Sequence, residues 1–214
     1  MQTFNRRCFI ALSFAAAVCG ADAAMAGDMS PAGQKLAKFY DGLNVEAHWI
    51  AGIHVDWQTG DPDGASENMP GRHTHCSAFV ASAAKKLGVY ILRPPEHGQV
   101  LLANAQNEWL AGPGSGAGWR PLRDAAEAQT AANRGLLVVA SYHNHRDNKP
   151  GHIAIVRPSG KSDQEVMSEG PDVIQAGTQN HSRVSLAEGF SGHRHAWEDQ
   201  EVQYYAHAVG AKAL

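Results

Sequence analysis

The chain has 214 residues, of which 43% are hydrophobic and 18% are charged, and its formal net charge at pH 7 is −3. A chain of this length can bury one sizeable core. The mild charge, without basic blocks, argues against nucleic-acid binding and against an electrostatic membrane anchor.

The first 26 residues have the pattern of an export signal. Arg6 and Arg7 precede an apolar run over residues 8–21, and small residues at 24–26 offer a cleavage site. The run is too short for a permanent membrane span. A twin-arginine signal and an ordinary secretory signal both fit this pattern. We predict a signal peptide over 1–26, one domain over 27–214, a periplasmic or secreted location and no stable membrane insertion.

Helices are expected in the first half of the domain. Ser30 is a good N-cap, and Pro31 suits the first helical position. From Cys76 onwards apolar residues recur at helical spacing until Gly88. The predicted helices cover residues 31–43, 76–87, 101–110 and 124–133, with a glycine-rich loop over 112–118.

Strands are expected in the second half, where short segments rich in β-branched and aromatic residues are separated by turn residues. They cover residues 136–142, 152–157, 173–176 and 202–207. Helices followed by strands predict an α+β domain with a mostly antiparallel sheet.

Cys76 is the single cysteine that remains once residues 1–26 are removed, so the predicted mature chain has no internal disulfide. It stands at the predicted start of a helix. Unpaired backbone N–H groups and the helix dipole favour a thiolate there, which is the nucleophilic form. The alternative is a buried, inert cysteine that packs as a small hydrophobe.

His152 follows a Pro-Gly turn and opens an apolar strand, so its ring can emerge at the edge of the sheet. Imidazole titrates in the range that a general base for a thiol requires. A third group should hold the ring in one tautomer. Gln175 is the polar residue in the centre of the next predicted strand, and Asn180 follows that strand. We predict Gln175 for this role, with Asn180 as the alternative.

Two motifs resemble those of a known family. His-Cys-Ser-Ala-Phe-Val at 75–80 resembles the Asp-Cys-Ser-Gly-Phe-Val signature of the NlpC-type papain-like cell-wall peptidases, and Gly-His-Ile-Ala-Ile-Val at 151–156 resembles their Gly-His-Val-Gly-Ile-Tyr strand. The CHAP amidases share this plan. The resemblance implies a papain-like fold with Cys76 as nucleophile, His152 as base, Gln175 as the third residue and wall peptides as substrates.

The chain also departs from that family. His75 replaces its aspartate and Gln175 stands where histidine is common, while residues 92–118 resemble an insertion that covers or shapes the cleft. We predict that Trp57, His75 and Asn180 contact substrate. For Trp57 the alternative is ordinary packing.

Three His-x-His pairs suggest a competing zinc hydrolase: His73 with His75, His143 with His145, and His193 with His195. Neither His-Glu-x-x-His nor a paired Cys-x-x-Cys is present in the sequence. We therefore predict no metal and no cofactor.

The sequence as a whole predicts an exported, monomeric cysteine peptidase or amidase that cleaves amide bonds, with peptidoglycan stem peptides or other peptides as its partners. An acyltransferase on the same fold would use identical residues. A non-catalytic wall-binding module would explain neither the cysteine at the helix start nor His152.

Overall fold

The structure is a computed structural model that describes residues 28–65, 74–210 and 212–214. The predicted signal peptide lies outside these residues. The described chain is α+β, as predicted, with seven α-helices and a six-stranded antiparallel sheet. The helices are α1 (Pro31–Asp41), α2 (Cys76–Lys86), α3 (Leu102–Ala111), α4 (Ala125–Asn133), α5 (Asp163–Glu169), α6 (Leu186–Gly189) and α7 (Arg194–Glu198). The strands are β1 (Arg120–Leu122), β2 (Leu137–Tyr142), β3 (His152–Val156), β4 (Asp172–Gln175), β5 (His181–Ser185) and β6 (Gln203–His207).

The sheet has the strand order β1-β6-β2-β3-β4-β5, and each neighbouring pair is antiparallel. The central strands β2 and β3 are buried along their whole length. Both faces of the sheet are therefore covered, which explains why these strands read as near-continuous apolar runs.

Two apolar cores lie on the two faces. Ile153 and Ile155 of β3 pack in one core with Phe79 and Val80 of α2. Because side chains alternate along a strand, Ala154 and Val156 face the other core, which includes residues of α4 and α6. Residue 152 shares the face of Ala154, so the first residue of β3 points away from the core that holds α2.

Several elements were missing from the sequence prediction. The short strands β1 and β5 and the helices α5 to α7 interrupt the expected order of helices first and strands second. α5 carries a full capping box, in which Ser162 and Glu165 cap each other's backbone N–H groups, and that motif is visible in the sequence. β5 has only one buried residue and lacks an apolar alternation that could have revealed it. The predicted loop over 112–118 contains a 3-10 turn at Pro113–Ala117.

No helix in the described part of the chain is long and apolar enough to cross a bilayer.

The buried side chain of Arg157 links α1 to the edge strand β5. The side chain of Arg157, just after β3, is 2% exposed, and its Nη2 lies 2.6 Å from Oδ1 of Asp41 at the end of α1. Its Nη1 also donates to the carbonyl oxygen of Ser182 in β5. Since a buried guanidinium is costly unless it is paired, this contact fixes the C-terminal end of α1.

We expect Asp41→Asn to lower the free energy of unfolding by about 1–3 kcal/mol, because it removes the charge partner of buried Arg157. Thermal unfolding followed by circular dichroism at pH 7 measures the effect. Asp28→Asn, at an exposed position, is the matched control and should change stability by less than about 0.5 kcal/mol. Equal melting temperatures for the two variants would contradict this role of Asp41.

Candidate active site

Cys76 is the first residue of α2, as predicted. The start of this helix is held by two side chains from outside it. Nε2 of His75 donates to the carbonyl oxygen of Ile53 at 2.8 Å, and Nε2 of Gln106 in α3 donates to that of Ser77 at 3.1 Å. The thiol is therefore placed by a fixed first turn.

The thiol environment differs from the expected one. Cys76 is only 5% exposed, and burial raises the pKa of its thiol above the ordinary value. Hydrogen bonding from the backbone N–H groups of Ile153, Ser77 and Cys76 itself acts in the opposite direction but is the smaller effect. The helix start does favour the thiolate, as its geometry requires, yet desolvation outweighs it. The expectation that the helix start favours the thiolate is therefore met in direction, but burial is the larger effect.

His152 and Gln175 are brought together. Nε2 of His152 lies 2.8 Å from Oε1 of Gln175, and both side chains are buried. Since an amide oxygen only accepts, Nε2 carries the ring proton and Nδ1 keeps its lone pair. Burial lowers the pKa of His152, and the hydrogen bond that His152 donates to Gln175 only partly offsets this effect. His152 therefore stays uncharged at neutral pH.

The sulfur of Cys76 meets the backbone at the residue that follows His152. The sulfur of Cys76 accepts from the N–H of Ile153, which directly follows His152 in β3. Pairing between β3 and β4 ends at Ile155 and Ile174, so β4 does not cover this point. Nδ1 is not bonded to Gln175, so it is the ring nitrogen that is free to take a proton. Nε2 points away to Gln175.

The segment after β5 completes the surroundings of the ring, and the sequence prediction missed it. Phe190 packs edge-on against His152 with ring centroids 4.6 Å apart, and His193 stacks on it at 5.7 Å. Gly189 leaves room for the amide, since a Cβ there would lie 2.9 Å from Oε1 of Gln175. His193 had been considered only as half of a metal pair, and no local signal placed it beside His152.

His193 is also uncharged at neutral pH. Its burial, and secondarily the neighbouring His152, lower the pKa of His193 to about 4. The stacked pair therefore adds no positive charge beside Gln175 in this range.

A cavity of about 550 Å³ opens onto this ring. His152, Gln175 and His193 line it, together with Thr74, which lies two residues before the cysteine. Its size lies within the usual range for ligand sites. Cys76 is not among its lining residues.

The other predicted substrate contacts are placed differently. Trp57 packs beside the C-terminal half of α2, where Nζ of Lys85 lies 5.3 Å from its ring. Lys85 lies nine positions after Cys76, or about 13 Å along the helix. Trp57 also packs against the core that includes α2, which favours the packing alternative. His75 does adjoin the thiol, but its ring is buried and bonded to Ile53.

Asn180 joins two loops through hydrogen bonds to their backbone, and its amide is not the one bonded to His152. Its Nδ2 donates to the carbonyl oxygens of Val45, His48 and Trp49, and its Oδ1 accepts from the N–H of Gly177. Both ends of the amide are therefore occupied by backbone. Of the two amides considered for orienting the imidazole, Gln175 is the one in contact with it.

Residues 92–118 do not line the cavity at His152. α3, which lies within them, packs against α2 and β2 and holds the first turn of α2 through Gln106. The segment does not cover the cavity, and it acts on the site through the first turn of α2.

The histidine pairs do not converge. Nε2 of His143 lies 3.0 Å from Oε1 of Glu108, and Nε2 of His145 lies 3.8 Å from Oε1 of Glu201. His73 lies outside the described residues. Within the described ranges, no group of three or more His, Cys, Asp or Glu residues is arranged to hold a metal ion.

No protein-family model matches the chain, and no curated protein matches it either. The chemical interpretation therefore rests on the arrangement of Cys76, His152 and Gln175. It contains a buried neutral thiol, a neutral imidazole with a fixed tautomer, and an amide that fixes it. These groups suit thiol attack with proton transfer to Nδ1 during the reaction, rather than a preformed ion pair.

We expect the alkylation of Cys76 by iodoacetamide to be slow at pH 7 and to rise about tenfold per pH unit up to about pH 9, because burial keeps the thiol protonated. Mass mapping of the peptide that contains Cys76 measures the rate, with glutathione as the reference thiol. A rate that is fast and constant between pH 6 and pH 9 would instead indicate a thiolate–imidazolium pair.

Proposed function

We propose that the chain is an exported cysteine peptidase or amidase of the papain-like NlpC type, which cleaves amide bonds in peptidoglycan stem peptides. One observation carries the proposal. The sulfur of Cys76 accepts from the N–H of Ile153, and the preceding residue, His152, has its far nitrogen fixed by Gln175. This support is independent of the two motifs that suggested the family.

In the proposed reaction the sulfur of Cys76 attacks the carbonyl carbon of an amide bond while Nδ1 of His152 takes the thiol proton. The N–H of Cys76, at the start of α2, stabilises the oxyanion. His152 then gives the proton to the leaving amine, and the C–N bond breaks to leave a thioester. Water, deprotonated by His152, hydrolyses the thioester and restores the thiol.

Neutral resting groups fit this sequence of steps. The lowered pKa of His152 keeps Nδ1 available as a base down to mildly acidic pH. The raised pKa of the thiol makes the proton transfer part of the attack. Gln175 accepts from Nε2–H and so stabilises the imidazolium that forms transiently.

The test is mass analysis of purified bacterial wall fragments after incubation with the protein. A new pair of masses whose sum exceeds the parent by one water supports hydrolysis and identifies the bond. Joined fragments would instead indicate an acyltransferase. Cys76→Ala should abolish the new masses, and a strong chelator should leave them unchanged. Loss of activity with the chelator, or its retention in Cys76→Ala, would overturn the proposal.

Gln175→Ala and Asn180→Ala should behave differently. For Gln175→Ala we expect turnover to fall about ten to a thousandfold with little change in melting temperature, since His152 loses the group that fixes its tautomer. For Asn180→Ala we expect a loss of about 1–3 kcal/mol in unfolding free energy, since four backbone groups lose their partner.

Turnover per folded molecule on one wall substrate, together with thermal unfolding, separates the two effects. Asn180→Ala should retain turnover within about tenfold of the wild type at a temperature where it is folded. The opposite result, with the larger loss of turnover at Asn180, would show that Gln175 is not the orienting residue.

A further inference from the structure

A second cavity adjoins the one at His152. It has a volume of about 470 Å³, and Arg146, Lys149, His193 and His195 contribute to its walls. The two cavities have Pro150, Gly192 and His193 in common. A ligand that lies against His152 can therefore extend past His193 into this second space, which we call the cationic pocket.

The charge of the cationic pocket is one-sided. Arg146 and Lys149 supply a guanidinium and an ammonium group, and none of the described residues that line the pocket carries a carboxylate. Among the described residues, no carboxylate lies within 4.0 Å of either cation. Two carboxylates lie beside the pocket without lining it, Asp199 at 3.6 Å from His195 and Glu201 at 3.8 Å from His145.

The loop that carries both cations is held in place by hydrogen bonds. Asn104 of α3 donates from Nδ2 to the carbonyl oxygen of Lys149 at 3.0 Å and accepts at Oδ1 from the N–H of Asn144 at 3.1 Å. Asn144 in turn accepts from the N–H of Arg146 at Oδ1 and donates from Nδ2 to the carbonyl oxygen of Pro150. The backbone of the loop is thus ordered before any ligand binds.

We propose that the cationic pocket binds a carboxylate of the peptide substrate through Arg146 and Lys149, so that the enzyme prefers peptides with a free carboxylate near the cleaved bond. The proposal rests on the function proposed above. Guanidinium and ammonium groups are suited to carboxylates, and the guanidinium can bind both oxygens at once. Wall stem peptides, which carry free carboxyl groups, have the required chemistry.

The experiment measures binding rather than turnover. The protein carries Cys76→Ala so that the ligand is not consumed, and the probes are a wall stem tetrapeptide with free carboxyl groups and the same peptide with every carboxyl group converted to carboxamide. Isothermal titration calorimetry at low salt gives both dissociation constants. We expect the free acid to bind at least about tenfold more tightly than the amide.

Arg146→Gln and Lys149→Met, made separately and together, should reduce that preference to about threefold or less without weakening the binding of the amide. Lys35→Met, at an exposed position on α1, is the matched control and should leave the preference unchanged. Circular dichroism checks the folding of each variant. Inorganic phosphate at about 10 mM tests a general anion site, and we expect it to compete only weakly.

Equal affinity for acid and amide would overturn the proposal, as would an unchanged preference in the double variant or no binding of either probe at about 5 mM. Phosphate that binds more tightly than the acid would overturn it too, because it would indicate a phosphate site. If the preference holds and depends on both cations but wild-type protein cuts no wall fragment, the pocket assignment stands and the proposed hydrolysis fails. If the wild-type protein cleaves the acid and the amide at equal rates, the proposed hydrolysis stands and the pocket assignment fails.

Discussion

The alternation of side chains at the start of β3 is the constraint on which the candidate site depends. One residue, His152, directs its ring to one face of the sheet, and the N–H of the next residue meets the sulfur of Cys76. This works only because β4 stops pairing before it reaches that N–H. α2 on one face and the α6 segment on the other can then contribute to a single site, although a six-stranded sheet lies between their cores.

Two opposing effects act on the sulfur, and their balance sets the chemistry. The first N–H groups of a helix favour a negative charge, but their influence is limited to its first turn. Removing a thiolate from water costs more wherever the surroundings are apolar, and Cys76 belongs to an apolar core that includes Phe79 and Ile153. A site of this kind protects the sulfur from oxidation in an oxidising compartment, since oxidation proceeds through the thiolate. In the proposed reaction the thiol becomes nucleophilic only when His152 takes its proton.

Sequence reasoning reached those parts of the site that depend on regular structure. The spacing of apolar residues after Cys76 fixes where α2 starts, and a single polar residue in an apolar strand identifies Gln175 as a residue that needs a partner. Parts that depend on loop paths were out of reach. Trp57 comes before the first motif and Asn180 after the second. Turns and backbone hydrogen bonds place Trp57 beside Lys85 and Asn180 beside Val45. His193 reaches the ring only through the short helix α6, whose four residues have no periodicity to detect.

Gly151 lines the cavity at His152 and directly follows Pro150, which lines both cavities, and it has no room for a side chain. A Cβ at this position would lie 2.1 Å from the carbonyl oxygen of Tyr142 and 2.4 Å from Oδ1 of Asn104. The chain must therefore pass this point in one conformation, with His152 on one side and the hydrogen-bonded loop from Asn144 to Lys149 on the other. Arg146 and Lys149 are exposed residues of this loop, so substitutions at these two positions can leave the hydrogen bonds of Asn144 and the position of the imidazole unchanged. Ligand preference can therefore be changed by substitutions in this loop while Gly151 and Asn104 are kept.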